Sequence, residues 1–181
     1  MEQQRLRAEG EEIMTTSPAR TSLPTLASMA QPAPEWLRNL AAARAHYEER
    51  FGWPMAVQVA ERRLVVALGQ GVDAITMPAA LGTRVHTQLG IAMLAGPVIA
   101  HPDGGCWTFL TQTASTAREA IRDDLAKHGV RHAAAGMHAV IPIEHADAGW
   151  RWIAEPRPNR MLPPVSAVLA TAHRACAADR A

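Results

Sequence analysis

The sequence has few of the residues that build disulfide-stabilised, zinc-binding or membrane-embedded proteins. Its two cysteines, Cys106 and Cys176, lie far apart and match no zinc-ligand or disulfide spacing. No stretch reaches the roughly 18 consecutive apolar residues of a membrane helix. The charged N-terminus is followed by no apolar run, so it does not resemble a signal peptide. We therefore expect a cytoplasmic protein that binds no membrane.

A surplus of one charge sign is also missing. The formal net charge is +1, and Lys127 is the only lysine, so nearly all basic residues are arginines. Non-specific DNA binding usually depends on a clustered basic stripe, which this composition does not predict. The chain also lacks a P-loop and a dinucleotide-binding fingerprint, because Gly69 and Gly71 form only a short turn without the third glycine.

What is present is a globular composition, 48% hydrophobic, preceded by a polar tail. Residues 1–33 are rich in Thr, Ser, Pro and Ala without a sustained hydrophobic period, which predicts a disordered tail. From Pro34 onward, hydrophobic spacing and turn residues predict interspersed helices and strands. The helices are expected over 34–52, 78–96, 117–129 and 164–180, and the strands over 53–61, 62–69, 72–77, 97–100, 106–112, 137–143 and 150–155. This order predicts an α/β or α+β domain over 34–181, with a mixed central sheet flanked by helices.

Three segments carry turn and strand motifs in a fixed order. Residues 43–58, ARAHYEERFGWPMAVQ, run from a helix through Gly-Trp-Pro into a strand, and residues 101–111, HPDGGCWTFLT, place Gly-Gly before a strand. Residues 135–153, AGMHAVIPIEHADAGWRWI, join an aliphatic strand to an aromatic-Arg-Trp strand. Together they resemble the N-terminal domain of bifunctional DNA primase/polymerases, in the archaeo-eukaryotic primase superfamily, and its divergent actinobacterial forms in particular. An unrelated α/β domain with similar turns is the alternative.

The resemblance implies nucleotidyl transfer, which needs divalent cations held by carboxylates. The family holds them with an Asp-x-Asp pair on one strand, where residues i and i+2 share a face. In the matching strand here, Asp73 is followed at i+2 by Ile75, which binds no cation. Asp73 is therefore a remnant candidate for a metal ligand, or simply a polar residue at the start of a strand.

Two further positions depart from the family pattern. The histidine that follows Gly-Gly in the family contacts nucleotide phosphates, but Trp107 stands at its place and has one neutral donor. The third acidic position, expected before the strand at 137–143, falls where Arg131 and His132 stand. The three departures predict a catalytically inactive domain with no cofactor. A divalent metal is expected only if catalysis survives.

The candidate residues for binding nucleic acid or a nucleotide are Gly104, Gly105, Trp107, Arg151 and Trp152. A tryptophan can stack on a base, and Arg151 can act beside it. Core packing is the simpler role for Trp107, Trp150 and Trp152, because alternation along a strand places the last two on one face and Arg151 on the other.

Two other constellations give weaker hypotheses. His128 and His132 have a zinc-like spacing of four, but Gly129 between them ends the helix that would put both on one face. His101 and Cys106 can be drawn as a nucleophile pair, although the stretch between them reads as a hairpin turn.

These observations predict a primase–polymerase-like domain that is inactive as an enzyme and has a binding or regulatory role involving nucleic acid or a nucleotide. The alternative is a protein-interaction or regulatory module without nucleic-acid binding, whose partner docks on the Ala-rich helix at 164–180. An active enzyme of another class ranks third, because no acid–base pair or nucleophile supports it.

Overall fold

The computed structural model describes residues 32–113, 123–133, 135–143 and 149–178. The predicted tail up to residue 31 and the start of the helix predicted at 117–129 lie outside these ranges. The helices are α1 (Glu35–Phe51), α2 (Ala79–Ile91), α3 (Asp123–Lys127) and α4 (Val165–Ala178). The strands are β1 (Met55–Gln58), β2 (Arg63–Ala67), β3 (Asp73–Pro78), β4 (Val98–Ala100), β5 (Cys106–Thr111), β6 (Arg131–Ala133), β7 (His138–Val140) and β8 (Arg151–Ala154).

The ends of α1 follow local rules, and the end of α2 does not. Helix α1 begins after Pro34 and stops at Gly52, which is left-handed and donates its N–H to the Glu48 carbonyl. We predicted that α2 extends to Gly96, and this was wrong. A six-residue capping motif closes α2 early: the Leu94 N–H donates to the Leu89 carbonyl at 2.8 Å, and Met93 takes a left-handed φ of 59°. A glycine usually occupies that position, so the sequence carried no stop signal there.

The strands form two sheets rather than one. In the described residues, one sheet has the order β1-β2-β7 and the other the order β6-β3-β5-β4-β8, and all pairings are antiparallel. The predicted α+β class is confirmed, whereas the single central sheet is in fact divided into two. Strand β6 was not predicted, because three residues are too few to show a hydrophobic alternation.

Two apolar clusters lie on opposite faces of the five-stranded sheet, because alternate side chains of a strand point in opposite directions. Ile75 and Met77 of β3 belong to a first cluster together with residues of α2, α3 and α4. Ala74 belongs to a second cluster with residues of α1 and of the three-stranded sheet. Both faces of the five-stranded sheet therefore carry packed apolar side chains.

Helix α4 uses its apolar face inside the domain. Val168, Ala172 and Cys176 are buried in the first cluster, and α4 packs against α2. A partner protein bound through α4 stays a prediction, and it would have to contact the exposed face. None of the helices in the described ranges is long and apolar enough to cross a membrane.

Candidate functional site

Asp73, the remnant candidate for a metal ligand, is buried with 1% of its surface exposed. Its Oδ1 accepts the Gly69 N–H at 3.1 Å, and its Oδ2 lies 3.3 Å from Nε2 of His132. Gly69 belongs to the turn before β3, and His132 lies on the neighbouring strand β6. The carboxylate at the start of β3 is thus hydrogen-bonded to the preceding turn and to strand β6. These contacts agree with its alternative role as a polar residue at a strand start.

The two other positions that were compared with the family motif, Ile75 and Trp107, are packed against neighbouring side chains. Ile75 is fully buried in the first cluster. The Trp107 ring packs on α2: a Cβ placed on Gly82 would meet it at 3.1 Å, and the His86 ring lies edge-on to it at 6.4 Å. The expected packing role of Trp107 is therefore what its contacts show. Of the two positions, neither Ile75 nor Trp107 offers a carboxylate or an imidazole.

The Gly104–Gly105 turn uses its own amides. The Gly104 N–H donates to the His101 carbonyl at 2.9 Å, and the Gly105 N–H donates to Oδ1 of Asp103 at 2.9 Å. The Gly105 carbonyl accepts the N–H of Ala79 at the start of α2. Both amides are thus engaged within the turn, so they do not form an open cradle for a phosphate.

His101 belongs to a hydrogen-bonded chain behind this turn. Its Nε2 lies 2.8 Å from the Thr108 hydroxyl, which lies 2.8 Å from the Thr76 hydroxyl. The Trp150 ring packs on the imidazole at 4.5 Å. Burial lowers the pKa of His101, and the Asp103 carboxylate partly opposes this effect. The imidazole therefore pairs with Thr108 rather than with the thiol of Cys106.

The residues around Asp73 do not fit a divalent metal. Across the described ranges, no group of three or more His, Cys, Asp or Glu side chains is placed to hold a metal ion. His128 and His132 do not share a helix: α3 ends at Lys127, Gly129 is left-handed, and His132 belongs to β6. The prediction that Gly129 separates the pair is confirmed.

A large cavity of about 1030 Å³ opens at the β8 edge of the five-stranded sheet. Five consecutive residues, Trp152 to Pro156, line it. Trp152 packs against the second cluster and Ile153 against the first. Because neighbouring residues of a strand point to opposite faces, a cavity that touches all of them runs along the edge of the strand. Its remaining walls come from the end of α1, from α2, and from the segments at 95–97 and 159–162.

The charged groups of this cavity are predominantly positive. Arg50, Arg157 and Arg160 line it together with one carboxylate, Glu155. Within the described residues, none of the three guanidinium groups has a carboxylate partner. A surplus of two positive charges in a concave site attracts anions, and a guanidinium matches phosphate or carboxylate with two parallel hydrogen bonds.

Aromatic rings form the side of the cavity that faces the second cluster. Phe51, Trp53 and Trp152 line it, and Tyr47 stacks on Trp53 with 6.0 Å between the ring centroids. Trp152 is held in place because its Nε1–H donates to the Pro142 carbonyl at 3.2 Å. Burial raises the pKa of Tyr47; the nearby Trp152 indole opposes the rise and the Glu155 carboxylate adds to it.

On the opposite side of the cavity, toward the first cluster, lies His86. Its Nδ1 is buried and has no hydrogen-bond partner among the described residues. Gln112, just after the end of β5, adds a side-chain amide. Together with the rings and the guanidinium groups, these side chains can bind a ligand that is flat at one end and anionic at the other.

The structure separates the predicted binding residues by position and by the direction in which their side chains point. Gly104 and Gly105 form the turn of the β4–β5 hairpin, and Arg151 is exposed opposite Ala100, beside that turn. Trp152 is the one predicted residue that lines the cavity. Trp150 and Trp152 both pack against the second cluster and Arg151 is exposed, as the alternation along the strand predicted.

Two of the arginines of the cavity were missed because they lie between the predicted strand at 150–155 and the predicted helix at 164–180, where the sequence shows no recognised motif. The sequence Pro-Arg-Pro-Asn-Arg at 156–160 places two arginines within four residues shortly after a strand. This local concentration of positive charge was the sequence signal that could have indicated the site. Arg50 carried no such signal, because the last turn of a helix favours a basic residue for its own reasons.

Comparison of the chain with protein-family models, with curated proteins and with solved structures found no match. Evidence on function therefore comes from the geometry of the fold and from the motifs in the sequence.

Proposed function

We propose that this chain is a primase–polymerase-like domain that binds nucleic acid or a nucleotide and does not catalyse nucleotidyl transfer. One observation carries the binding part: the cavity at the β8 edge joins three guanidinium groups to the indole of Trp152. Nucleotides and nucleic acids combine anionic phosphates with flat bases, and these are the groups that arginine and tryptophan bind.

The loss of catalysis is supported by the packing around β3. Two-metal phosphoryl transfer needs carboxylates that converge on two cations. Here Asp73 is buried and bonded to Gly69 and His132, while Ile75 is enclosed by apolar side chains. A charged group would be costly at position 75, so the core has been built around the absence of the second acid.

Binding is tested by titrating the full chain at low salt with a fluorescently labelled single-stranded oligonucleotide and, in parallel, with a fluorescent nucleoside triphosphate. We expect at least one probe to bind. We expect the double variant Arg157→Ala/Arg160→Ala to lose about tenfold or more in affinity, because each charged hydrogen bond contributes about 1.5–3 kcal/mol. If neither probe binds, the binding part of the proposal is overturned.

Two control variants locate the effect. Arg131 is exposed on β6, the opposite edge of the same sheet, and Arg151 is the exposed arginine beside the Gly104–Gly105 turn. Changing Arg131 to Ala should alter affinity less than twofold, and Arg151→Ala should cost less affinity than the double variant. A larger loss with Arg151→Ala than with the double variant would move the site to the turn. Template-dependent synthesis in the presence of Mn²⁺ would refute the inactive part.

One observation favours the alternative function, a protein-interaction module. Ile91, Met93 and Met161 are about 80% exposed, and Met161 also lines the cavity. Exposed methionines are common at surfaces that bind proteins. If the variant Ile91→Ser/Met93→Ser changes the protein's self-association in analytical ultracentrifugation and no nucleotide probe binds, this alternative is preferred.

A further inference from the structure

The β8 edge of the cavity offers backbone groups as well as side chains. Among the described residues, β8 pairs with β4 and with no other strand, so it forms one edge of the five-stranded sheet. An edge strand presents a row of N–H and C=O groups that no neighbouring strand uses. Because the cavity runs along Trp152, Ile153 and Ala154, these groups face the space that a ligand would occupy.

Such a strand edge can form hydrogen bonds with the edge of a nucleobase. A base carries donors and acceptors side by side on its hydrogen-bonding edge, and a strand edge offers the same two kinds of group in alternation. The rings of Phe51 and Trp152, with the buried Trp53 packed behind them, form an apolar wall for the flat face of a base on one side of this edge. A sugar or an aliphatic acid would use the arginines but not this combination.

The positive charge of the cavity is local. Arg157 and Arg160 follow β8 within six residues, and Arg50 reaches the same cavity from the last turn of α1. The chain as a whole has a net charge of only +1. A nucleic-acid strand is bound along a continuous basic track, whereas a compact group of three arginines suits two or three phosphates at one place.

The size of the site agrees with a small ligand. The cavity has a volume of about 1030 Å³, at the upper end of the roughly 300–1,000 Å³ range of small-molecule sites. Its walls come from both layers that cover the sheet, with Trp53 on one side and His86 on the other.

We propose that the cavity binds a free nucleoside di- or triphosphate: the β8 edge reads the base, and Arg50, Arg157 and Arg160 bind the phosphates. This inference rests on the proposed nucleotide-binding function and makes it more specific. The ligand is a mononucleotide that is held without being polymerised, as expected for a domain that senses or stores it.

The test is isothermal titration of the full chain with ATP, GTP, CTP and UTP in turn. The triphosphate with the highest affinity is then compared with its monophosphate, with its nucleoside and with inorganic tripolyphosphate. It is also compared with a single-stranded oligonucleotide of about ten nucleotides that lacks a 5′ phosphate. The triphosphate should bind at least about tenfold more tightly than any of these comparison compounds, since both the base and the phosphates contribute.

Three results separate this inference from the broader function. If the oligonucleotide binds more tightly than every nucleotide, the inference fails and nucleic-acid binding stands. If tripolyphosphate binds as tightly as the triphosphate, the base is not read and the inference fails. If no compound binds, both the inference and the proposed function fail.

The variants assign the two halves of the ligand to the two parts of the cavity. Arg157→Ala/Arg160→Ala should weaken the triphosphate at least about tenfold and leave the nucleoside within twofold, because it removes phosphate contacts only. Trp152→Leu should weaken both to a similar degree. Arg131→Ala should change neither. Equal loss of nucleoside and triphosphate in the arginine variant would contradict the assignment.

Discussion

At the centre of the five-stranded sheet, β3 and β5 carry the positions where the sequence resembles a catalytic motif, and each of them is packed or hydrogen-bonded. Asp73 is held by Gly69 and His132, and Ile75 is enclosed in the first cluster. At the β8 edge, three guanidinium groups and an indole line an open cavity. The centre of the sheet is thus committed to core packing and internal hydrogen bonds, whereas the β8 edge presents charged and aromatic side chains to an open space.

The largest expected effect comes from placing a second acid beside Asp73 at the packed centre. Ile75→Asp should destabilise the fold by about 3–5 kcal/mol, because it places a carboxylate among apolar side chains. Urea unfolding followed by circular dichroism measures this change. The control Ile75→Val should cost only about 0.5–1.5 kcal/mol.

The same variant tests whether the centre can still be a metal site. If Ile75→Asp keeps the wild-type stability and gains Mn²⁺-dependent primer extension, the centre is a dormant active site, and the contrast between the two regions is lost.

Removal of the remaining acid should have the next largest effect. Asp73→Ala removes the partner of His132 Nε2 and the second acceptor of the Gly69 N–H, which keeps its 2.8 Å bond to the Val72 carbonyl. Losing these bonds to a buried carboxylate should cost about 1–3 kcal/mol. Asp103→Ala is the matched control, because Asp103 also accepts a backbone N–H but is exposed, and we expect a loss of at most about 1 kcal/mol. Equal losses for the two variants, measured by urea unfolding, would show that Asp73 is not structural.

At the periphery, one change should stabilise the protein. Met93 takes the left-handed conformation that usually needs glycine, and its side chain is 82% exposed. Met93→Gly should raise the free energy of unfolding by about 0.5–1 kcal/mol, the relief of strain less the added entropy of the unfolded chain. Met161→Gly, at a comparably exposed methionine without positive φ, should not stabilise. A loss of stability in Met93→Gly would mean that the exposed side chain contributes to the fold.

The smallest expected effect concerns pH at the turn end of the central hairpin. Burial lowers the pKa of His101, so near pH 6 the folded protein binds fewer protons at this residue than the unfolded chain does. The stability that the neutral imidazole of His101 contributes is therefore fully present above the ordinary His pKa of about 6.5. It is lost as the pH falls below that value. Melting temperatures at pH 7.5 and 5.5 should differ more in the wild type than in His101→Gln, and identical differences would contradict this.

Local signals in the sequence were sufficient for most of the elements. Pro34 and Gly52 bracket α1, and the alternation Ile75, Met77 against Ala74 marks a strand with two buried faces. The end of α2 was missed because Met93 stands where a glycine would have marked it. The division into two sheets is decided by which strands pair across the chain, as in β2 with β7, and no local pattern encodes that choice.

The candidate site was predicted only in part, for the same reason. Trp152 was found because tryptophans around an arginine are conspicuous in sequence. Arg50, Gln112 and Arg157 come from distant parts of the chain, and only the folded sheet brings them to one cavity. Conversely, Gly104 and Gly105 were expected to bind because of their motif, whereas their amides serve the turn itself.

The central claim is that ligand binding takes place at the β8 edge and not at the centre of the sheet. A two-dimensional ¹H–¹⁵N titration of the full chain with the tightest-binding nucleotide tests it most directly. We predict the largest shift changes at the Trp152 indole N–H and at the amides of Ile153, Ala154 and Gln112, with small changes at Asp73, Gly104 and Gly105. The largest changes at Asp73, Trp107 and the Gly104–Gly105 turn would contradict the account.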